Sequence, residues 1–316
     1  MKIQDVCIYG AGAIGAYMIW GLSEKLGSNL KVIAEGDRAE KLRRDGLMIN
    51  DQHYDLQVVS PEEARGTDLV IVCVKYGSLD SVIEKIDKVV ADNTIVLSLL
   101  NGIDSEERIG AKVGMEHLVY SIIKIASARN ADGIRFKAPA GMMGIYFGEN
   151  PSNGSTDLLN QADMVAAIAE LFDNTPLCYH ISENIKVDLW SKFALNVAEN
   201  LPQAIIGCGM GGYFDSEYVD RVRTMLREEV FALAKAQDIE IPLNMAMTKV
   251  GNAIKKEARF STLQDLDAGR HTEVDMLAGE AIRQGKKYGI PTPCNEIVYN
   301  IICALEEKND GKFNYE

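Results

Sequence analysis

The chain has 316 residues, which is enough for two domains with hydrophobic cores of their own. Its composition, with 47% hydrophobic and 25% charged residues, is ordinary for a globular protein, and no apolar run approaches the roughly 20 residues that span a bilayer. The formal net charge of -13 argues against non-specific binding to nucleic acids or anionic membranes, and leaves room only for a local basic pocket that takes a small anion.

The N-terminus and the cysteines indicate the compartment. The first residues, MKIQDVCIYG, lead directly into a strand pattern, without the apolar region and cleavage site of a signal peptide. The six cysteines are scattered and show no Cys-x-x-Cys spacing, which is typical of reduced thiols. We therefore expect a cytoplasmic protein without disulfide bonds.

The first half of the chain alternates between short apolar runs and helical patterns. The runs have the composition of buried strands and cover residues 6–9, 31–34, 69–74 and 94–100. The helical patterns lie between them, at roughly 13–26, 38–45 and 79–90. Residues 117–150 are more extended and contain several glycines, as expected for antiparallel strands. The alternation predicts an open, mostly parallel, doubly wound α/β sheet.

The second half of the chain has a different character. From about residue 184 the segments follow a helical period, and few strand signals remain. We therefore predict two domains, an α/β domain at 1–182 and an all-α domain at 183–316.

A glycine-rich turn directly follows the first strand and directly precedes the first helix. In this G-x-G-x-x-G pattern, Gly10 permits the tight turn, Gly12 lets the backbone approach a pyrophosphate, and Gly15 allows close packing of helix on sheet. The N-terminus of the helix presents free N–H groups to the anion. The turn predicts a Rossmann-like dinucleotide site made of Gly10, Ala11, Gly12, Ala13, Ile14 and Gly15.

The residues after the second strand bear on the choice of cofactor. Glu35, 20 residues after Gly15, has the position of the acid that binds the ribose hydroxyls, and it favours NAD because a carboxylate repels a 2′-phosphate. Arg38 follows closely, and an arginine can bind that phosphate in NADP enzymes. The sequence predicts NADP or NAD as cofactor and leaves the choice open.

Two polar residues follow later strands. Lys75 closes LVIVCVK, and Asn101 comes directly after TIVLSLL. Because ligands of a doubly wound sheet bind beyond the carboxyl ends of its strands, both residues are expected to face the dinucleotide. Taken alone, a lysine there is as often the first exposed residue of a loop, and Asn101-Gly102 is a common turn dipeptide.

The segment WSKFALNVAEN places Lys192, Asn196 and Asn200 at intervals of four, on one stripe of a mostly apolar helix. Asparagine is a poor residue for a helix interior, since its amide competes for backbone hydrogen bonds. The stripe is therefore either a solvated face or a row of hydrogen-bond donors that faces a binding site.

A second polar cluster lies late in the chain, around Ser261 and Glu273. His271, Glu273 and Asp275 alternate, but no further histidine or cysteine group completes a ligand set, so we predict no metal site. A helix that begins near Thr272 would place Glu273 on one face with Glu280. By itself, such a glutamate is more often a first-turn residue that the helix dipole favours.

Together these motifs resemble the ketopantoate reductase (2-dehydropantoate 2-reductase) family over nearly the whole chain. The family has the glycine turn, a strand-terminal lysine followed 26 positions later by Asn-Gly, a W-x-K-x-x-x-N-x-x-x-N helix, and a Ser-x-x-Gln-Asp segment twelve positions before a Glu. The matching residues beyond the glycine turn are Lys75, Asn101, Gly102, Trp190, Lys192, Asn196, Asn200, Ser261, Gln264, Asp265, Glu273, Asp275 and Gly279.

The resemblance implies reduction of a small 2-keto acid by NAD(P)H. Lys192 would be the general acid that protonates the keto oxygen, and Glu273 would bind the substrate hydroxyl and hold Lys192 in place. Lys75 would lie between cofactor and substrate. The residues expected to orient the oxygens of the keto acid are Asn101, Asn196, Asn200 and Ser261.

The chain departs from the family pattern in three places. Many members have an arginine where Glu35 stands, in keeping with their preference for NADPH. The usual N-G-x-G-N is here Asn101-Gly-Ile-Asp-Ser, and the usual N-x-L-T-A is here Asn200-Leu-Pro-Gln-Ala. We expect Pro202 to end its helix close to Asn200.

Three functions are compatible with these residues. The first is reduction of ketopantoate to (R)-pantoate, and the second is a D-2-hydroxyacid dehydrogenase of the same family with another substrate. The third is a dinucleotide sensor without catalysis, which would not need both Lys192 and Glu273. The helical domain could also supply a homodimer face, although no heptad pattern requires one.

Overall fold

The computed structural model describes residues 1–130, 132–156, 158–245 and 255–315. The chain divides into two compact units, Met1–Lys186 and Val187–Glu316. Within the described ranges, no helix is both long and apolar enough to cross a membrane.

The first unit is built on β-strands. They are β1 (Val6–Tyr9), β2 (Leu30–Ile33), β3 (Leu47–Ile49), β4 (Gln52–Tyr54), β5 (Gln57–Val59), β6 (Leu69–Val72), β7 (Ile95–Ser98), β8 (Leu118–Lys124), β9 (Ser127–Asn130), β10 (Gly133–Phe136), β11 (Gly144–Gly148) and β12 (Tyr179–Ile181). An eight-stranded sheet has the order β12-β11-β8-β7-β6-β1-β2-β5, and a smaller one has the order β4-β3-β10-β9. In the large sheet β5, β2, β1, β6, β7 and β8 are parallel, and β11 is antiparallel to β8.

Helices cover both faces of the large sheet. They are α1 (Ala13–Leu26), α2 (Gly36–Asp45), α3 (Leu79–Ile83), α4 (Ser105–Val113) and α5 (Gln161–Phe172). One hydrophobic cluster joins α1 and α5 to the sheet, and another joins α3 and α4 to the opposite face. The predicted doubly wound, Rossmann-like fold is therefore confirmed.

Two predictions for the first unit need correction. The helix expected at 79–90 ends at Ile83, because hydrogen bonds such as Lys85 N–H to the Val82 carbonyl (3.0 Å) tighten the chain into a 3-10 turn at Ile86–Lys88. Of the strands that the structure describes within the extended segment 117–150, only β8 and β11 join the large sheet. β10 pairs with β3 and β9 in the small sheet.

The described part of the second unit is helical, as predicted. Its helices are α6 (Ile185–Ile206, whose first two residues belong to the first unit), α7 (Gly212–Asp215), α8 (Glu217–Lys235), α9 (Ser261–Asp267), α10 (Glu280–Tyr288) and α11 (Pro293–Asn309). A π-helical turn, Asp275–Gly279, directly precedes α10.

The expectation that Pro202 ends its helix is wrong. α6 continues to Ile206, and the Gly207 N–H still donates to the Gln203 carbonyl at 2.8 Å. A proline removes one backbone donor, at a cost of about 3 kcal/mol in a helix interior. The neighbouring side chains, including Leu201 and Gln203, are fully buried, so tertiary packing holds the helix through the proline.

Candidate active site

The glycine turn connects β1 to α1. Gly10 has φ +97°, and a Cβ there would lie 2.9 Å from the Cys73 carbonyl carbon. A Cβ on Gly15 would lie 1.9 Å from the Gly10 carbonyl oxygen. Gly12 differs from both, since a Cβ there would meet no heavy atom within 4 Å, and unlike that of Gly10 its φ, -85°, does not require glycine. The fold therefore requires glycine at positions 10 and 15. At Gly12 the absence of a side chain leaves space open in front of the α1 N-terminus.

This open space fits the pyrophosphate of a dinucleotide. Gly12 is the N-cap of α1, and its carbonyl accepts the first helical hydrogen bond, from Ala16 N–H at 2.8 Å. The N–H groups of the residues just after it belong to the first helical turn, where no intrahelical acceptor exists. Ala13 and Ile14, which supply two of these donors, are half-buried. The turn can thus present backbone donors and a helix dipole to an anion.

Glu35 and Arg38 lie beyond the end of β2. Glu35 is the N-cap of α2, and its Oε2 accepts a hydrogen bond from Lys85 Nζ at 2.5 Å. Arg38 Nη2 donates to the Ala11 carbonyl at 3.4 Å, so it contacts the glycine turn. Sequence reasoning missed Lys85, because nothing in its local pattern reveals a partner 50 residues earlier.

Lys75 and Asn101 leave the same edge of the sheet as the glycine turn. In the parallel register, Tyr9 pairs with Val72, and Val72 pairs with Ser98. The chain segments after these three residues therefore emerge side by side at the carboxyl edge, where doubly wound sheets bind ligands. Lys75 is exposed and Asn101 is half-buried, so both stand at the surface of this edge.

The departure at residue 104 has a structural explanation. Asp104 is buried, and its Oδ2 accepts hydrogen bonds from the Tyr76 hydroxyl at 2.6 Å and from Arg108 Nη1 at 3.4 Å. The Arg108 guanidinium also lies 5.3 Å from the centre of the Tyr76 ring. This network ties the loop after Asn101 to the loop after Lys75.

A buried carboxyl group lies just after Asn101. Glu106 is 1% exposed and accepts hydrogen bonds from Ser105 Oγ at 2.8 Å and from Ser121 N–H at 3.4 Å. Burial raises the pKa of Glu106 to about 7, and these hydrogen bonds only partly offset the effect. The residue can therefore hold a proton near neutral pH.

The row on α6 is not a solvated stripe. Lys192 and Asn196 are half-buried, and Asn200 is 8% exposed. Trp190, Phe193 and other apolar residues of the helix are buried beside them. Three polar side chains that are shielded from water on one helix face need hydrogen-bond partners, which the row can find in a bound polar ligand or in the protein.

Two further residues continue this face, although the sequence analysis did not assign either of them to it. Glu199 and Gln203 come seven residues after Lys192 and Asn196, a spacing that returns to the same side of a helix. Both are completely buried. Glu199 Oε1 lies 4.0 Å from Arg223 Nη1. The seven-residue spacing in the sequence could have revealed them.

Gln203 connects α6 to the start of α9. Its Oε1 accepts a hydrogen bond from Phe260 N–H at 2.9 Å, and its Nε2 donates to the Ala258 carbonyl at 3.5 Å. Phe260 is the N-cap of α9 and Ser261 is the first residue of this helix. Gln203 thus fixes the backbone that carries Ser261, whose side chain is exposed.

Glu273 is half-buried and precedes the π-helical turn. Its carbonyl accepts a hydrogen bond from Met276 N–H at 3.1 Å, and the preceding Thr272 donates to Glu306 Oε1 through its N–H at 2.7 Å and its hydroxyl at 2.6 Å. The expected α-helical face shared with Glu280 is wrong, since the wider π turn lies between the two residues.

The neighbouring His271 contacts two acidic residues of the second unit. Its Nε2 lies 2.9 Å from Asp310 Oδ2, and its Nδ1 lies 3.5 Å from Glu306 Oε2. Across the residues that the structure describes, no group of three or more His, Cys, Asp and Glu side chains could hold a metal ion.

The fold and the glycine turn define a dinucleotide-binding protein, and the comparisons with known proteins place it among the NAD(P)-dependent oxidoreductases. Residues 6–152 match the family described as "Ketopantoate reductase PanE/ApbA", and residues 184–306 match "Ketopantoate reductase PanE/ApbA C terminal". The chain therefore belongs to the ketopantoate reductase family.

Individual relatives agree with this assignment. The 2-dehydropantoate 2-reductase of Archaeoglobus fulgidus is 27% identical over 97% of this chain and 99% of its own length. A PanE/ApbA family ketopantoate reductase from Ralstonia eutropha JMP134 has a similar fold, with a TM-score of 0.75, 24% identity, and 97% of this chain and 99% of that chain covered. D-mandelate dehydrogenase, solved with NADH and anilino(oxo)acetate, gives a TM-score of 0.81 at 22% identity, with the same shares covered.

Proposed function

We propose that this protein is a cytoplasmic reductase that converts ketopantoate into (R)-pantoate with NAD(P)H. The row of Lys192, Asn196 and Asn200 on α6, in which the first two residues are half-buried and the third is buried, is the observation that carries this proposal. A dinucleotide-binding regulator would need the glycine turn, but it would not need a lysine and two amides in this shielded row.

The roles assigned to Lys192 and Glu273 follow from the negative charge that develops on the substrate during hydride transfer. When bound, the reduced nicotinamide supplies a hydride to the keto carbon, and negative charge then develops on the keto oxygen. Lys192 holds a proton on Nζ, donates a hydrogen bond to that oxygen and transfers the proton to it. Glu273 accepts a hydrogen bond from the substrate hydroxyl and holds Lys192 in its charged form.

Neutral donors orient the rest of the substrate. In this proposal Asn101, Asn196, Asn200 and Ser261 hydrogen-bond the oxygens of the keto acid. Lys75, at the carboxyl edge of the sheet, lies beside the nicotinamide. Amides and hydroxyls fix the position of the substrate without stabilising its carboxylate so strongly that release becomes slow.

The test is the initial rate of absorbance loss at 340 nm with ketopantoate, measured in parallel with NADPH and NADH. We expect Lys192→Ala to abolish turnover while the Kd of the dinucleotide stays nearly unchanged. Lys235→Ala, which changes an exposed lysine at the end of α8, is the control and should behave like the wild type. A Lys192→Ala variant with near-wild-type rates would refute the proposed role of the lysine.

A D-2-hydroxyacid dehydrogenase with another substrate is the second candidate. Asp104 and Gln203 favour it, because both departures from the family pattern are buried next to residues assigned to substrate binding. The fold of D-mandelate dehydrogenase is also similar. A panel of aliphatic and aromatic 2-keto acids distinguishes the candidates by kcat/KM. If no keto acid is reduced although a dinucleotide binds, the protein is the regulator instead.

The assembly that we propose is a homodimer. The fold also resembles that of a ketopantoate reductase from Staphylococcus aureus that is described as dimeric, with a TM-score of 0.76 at 17% identity. Light scattering during size-exclusion chromatography tests this directly, since the chain has a mass of 34.8 kDa and a homodimer has twice that mass.

A further inference from the structure

The ion pair between Lys85 and Glu35 lies where the adenosine ribose of a dinucleotide is expected. Glu35 stands directly beyond β2, next to the glycine turn. Lys85 comes from the segment that follows α3, where its N–H donates to the Val82 carbonyl at 3.0 Å. Their side chains are 38% and 45% exposed, so a ligand can reach both charges.

The ion pair with Lys85 weakens the electrostatic repulsion between Glu35 and a 2′-phosphate. An isolated carboxylate at this position repels a 2′-phosphate. With Lys85 Nζ only 2.5 Å from Oε2, however, the two charges largely cancel when seen from the ligand. Oε1 remains available to accept a hydrogen bond from a ribose hydroxyl. The guanidinium of Arg38, which contacts the Ala11 carbonyl, adds a further positive charge on the same side of the turn.

We propose that Lys85 is the residue that lets this protein accept NADP as well as NAD. In the NAD complex, Lys85 keeps its bond to Glu35 and the carboxylate binds the ribose diol. In the NADP complex, the Lys85 ammonium leaves Glu35 and pairs with the 2′-phosphate. The inference rests on the assignment of Glu35 to the ribose, and it specifies the cofactor range of the proposed reductase.

The exchange of partners is favourable for two reasons. A partly exposed ion pair contributes little to stability, so breaking the bond between Lys85 and Glu35 costs little. A phosphate monoester carries almost two negative charges and offers three strong acceptor oxygens, so it is a better partner for an ammonium than a single carboxylate. A group attached to the ribose oxygen that Glu35 binds also lies within the reach of Nζ, because Nζ already contacts that carboxylate.

The test measures binding rather than turnover. The Kd of NADPH and of NADH is determined for the whole protein from the change in nicotinamide fluorescence, for the wild type and for four variants. We expect Lys85→Ala to weaken NADPH about tenfold and to change the Kd of NADH less than about threefold. We expect Glu35→Gln to show the opposite preference, with NADH weakened and NADPH unchanged or tighter.

The neighbouring pair of Lys88 and Glu62 provides a matched control. Lys88 Nζ lies 2.8 Å from Glu62 Oε1, in an exposed ion pair of the same kind and three residues further along the chain. Lys88→Ala should leave both Kd values within about twofold of the wild type. Lys85→Arg, which keeps the charge, should retain NADPH binding.

Two outcomes overturn the inference. One is an unchanged ratio of the two Kd values in Lys85→Ala, and the other is an equal loss of NADPH binding in Lys88→Ala, which would indicate only a general effect of charge. Failure of the proposed reduction is recognised separately, because it leaves dinucleotide binding and its ratio intact.

Discussion

The substitution Gly12→Ala should weaken dinucleotide binding without destabilising the fold. Gly12 has φ -85° and ψ -158°, which an alanine adopts without strain, and the added Cβ meets no heavy atom within 4 Å. The folded protein should therefore tolerate the change, and the reduced freedom of the unfolded chain should even stabilise it by about 0.4–1 kcal/mol. The same methyl group, however, fills the space that a pyrophosphate would occupy.

We expect the dinucleotide to bind much more weakly to this variant. Loss of one or two hydrogen bonds to a charged group, at about 1.5–3 kcal/mol each, raises the Kd by at least about tenfold. Calorimetric titration with NADH and NADPH measures this loss, and urea unfolding measures the free energy of unfolding. Gly15→Ala is the contrast, because its Cβ would lie 1.9 Å from the Gly10 carbonyl oxygen and must destabilise the fold itself. A Gly12→Ala protein that binds like the wild type, or that unfolds as easily as Gly15→Ala, would refute this reasoning.

Two further predictions concern buried polar groups. The pKa of Glu106 is raised from 4.5 to about 7, so its contribution to stability is present below pH 4.5 and is lost as the pH rises through 7. We expect this residue to lower the free energy of unfolding by about 3 kcal/mol over that range, and urea unfolding at several pH values should show a flatter profile for Glu106→Gln. Gln203→Leu leaves the Phe260 N–H without its acceptor, so we expect a loss of about 1–3 kcal/mol and a KM for the keto acid that rises more than kcat falls. Gln161→Leu is its control, because this buried glutamine also bonds one backbone N–H (3.3 Å) and one carbonyl (3.1 Å), but in the first unit. An equal rise of KM in both variants would contradict a specific role for Gln203.

The parts of the fold that could be predicted are those with a strong local signal. α1 occupies 13–26 as predicted, because the glycine turn fixes its start and an apolar face runs along its length. The strands at the centre of the large sheet are buried on both faces and therefore appear in the sequence as continuous apolar runs. The small sheet could not be predicted, since strands such as β4 have only three residues, mostly exposed, and since β3 pairs through Ile49 with Ile134 of the distant strand β10.

The residues of the candidate site also divide into those that the sequence predicts and those that it does not. Motif spacing was sufficient to select Lys192, Asn196 and Asn200, and the structure places them on one shielded helix face. The contact of Lys85 with Glu35 could not be predicted from the sequence, because the two residues are 50 positions apart and only the fold brings them together. Pro202 was misjudged for a related reason, since local propensity disfavours a helix that tertiary packing sustains.

The π-helical turn at Asp275–Gly279 also bears on how residues of this region can be compared between relatives. A π turn holds an extra residue relative to an α turn, so side chains before it are rotated by about 100° relative to those after it. The face that α10 turns to its neighbours therefore does not dictate the direction of Glu273. At the far end of the turn, a Cβ on Gly279 would lie 2.5 Å from Asp275 Oδ1. A relative with one residue fewer here could align perfectly through α10 and still aim the equivalent glutamate elsewhere.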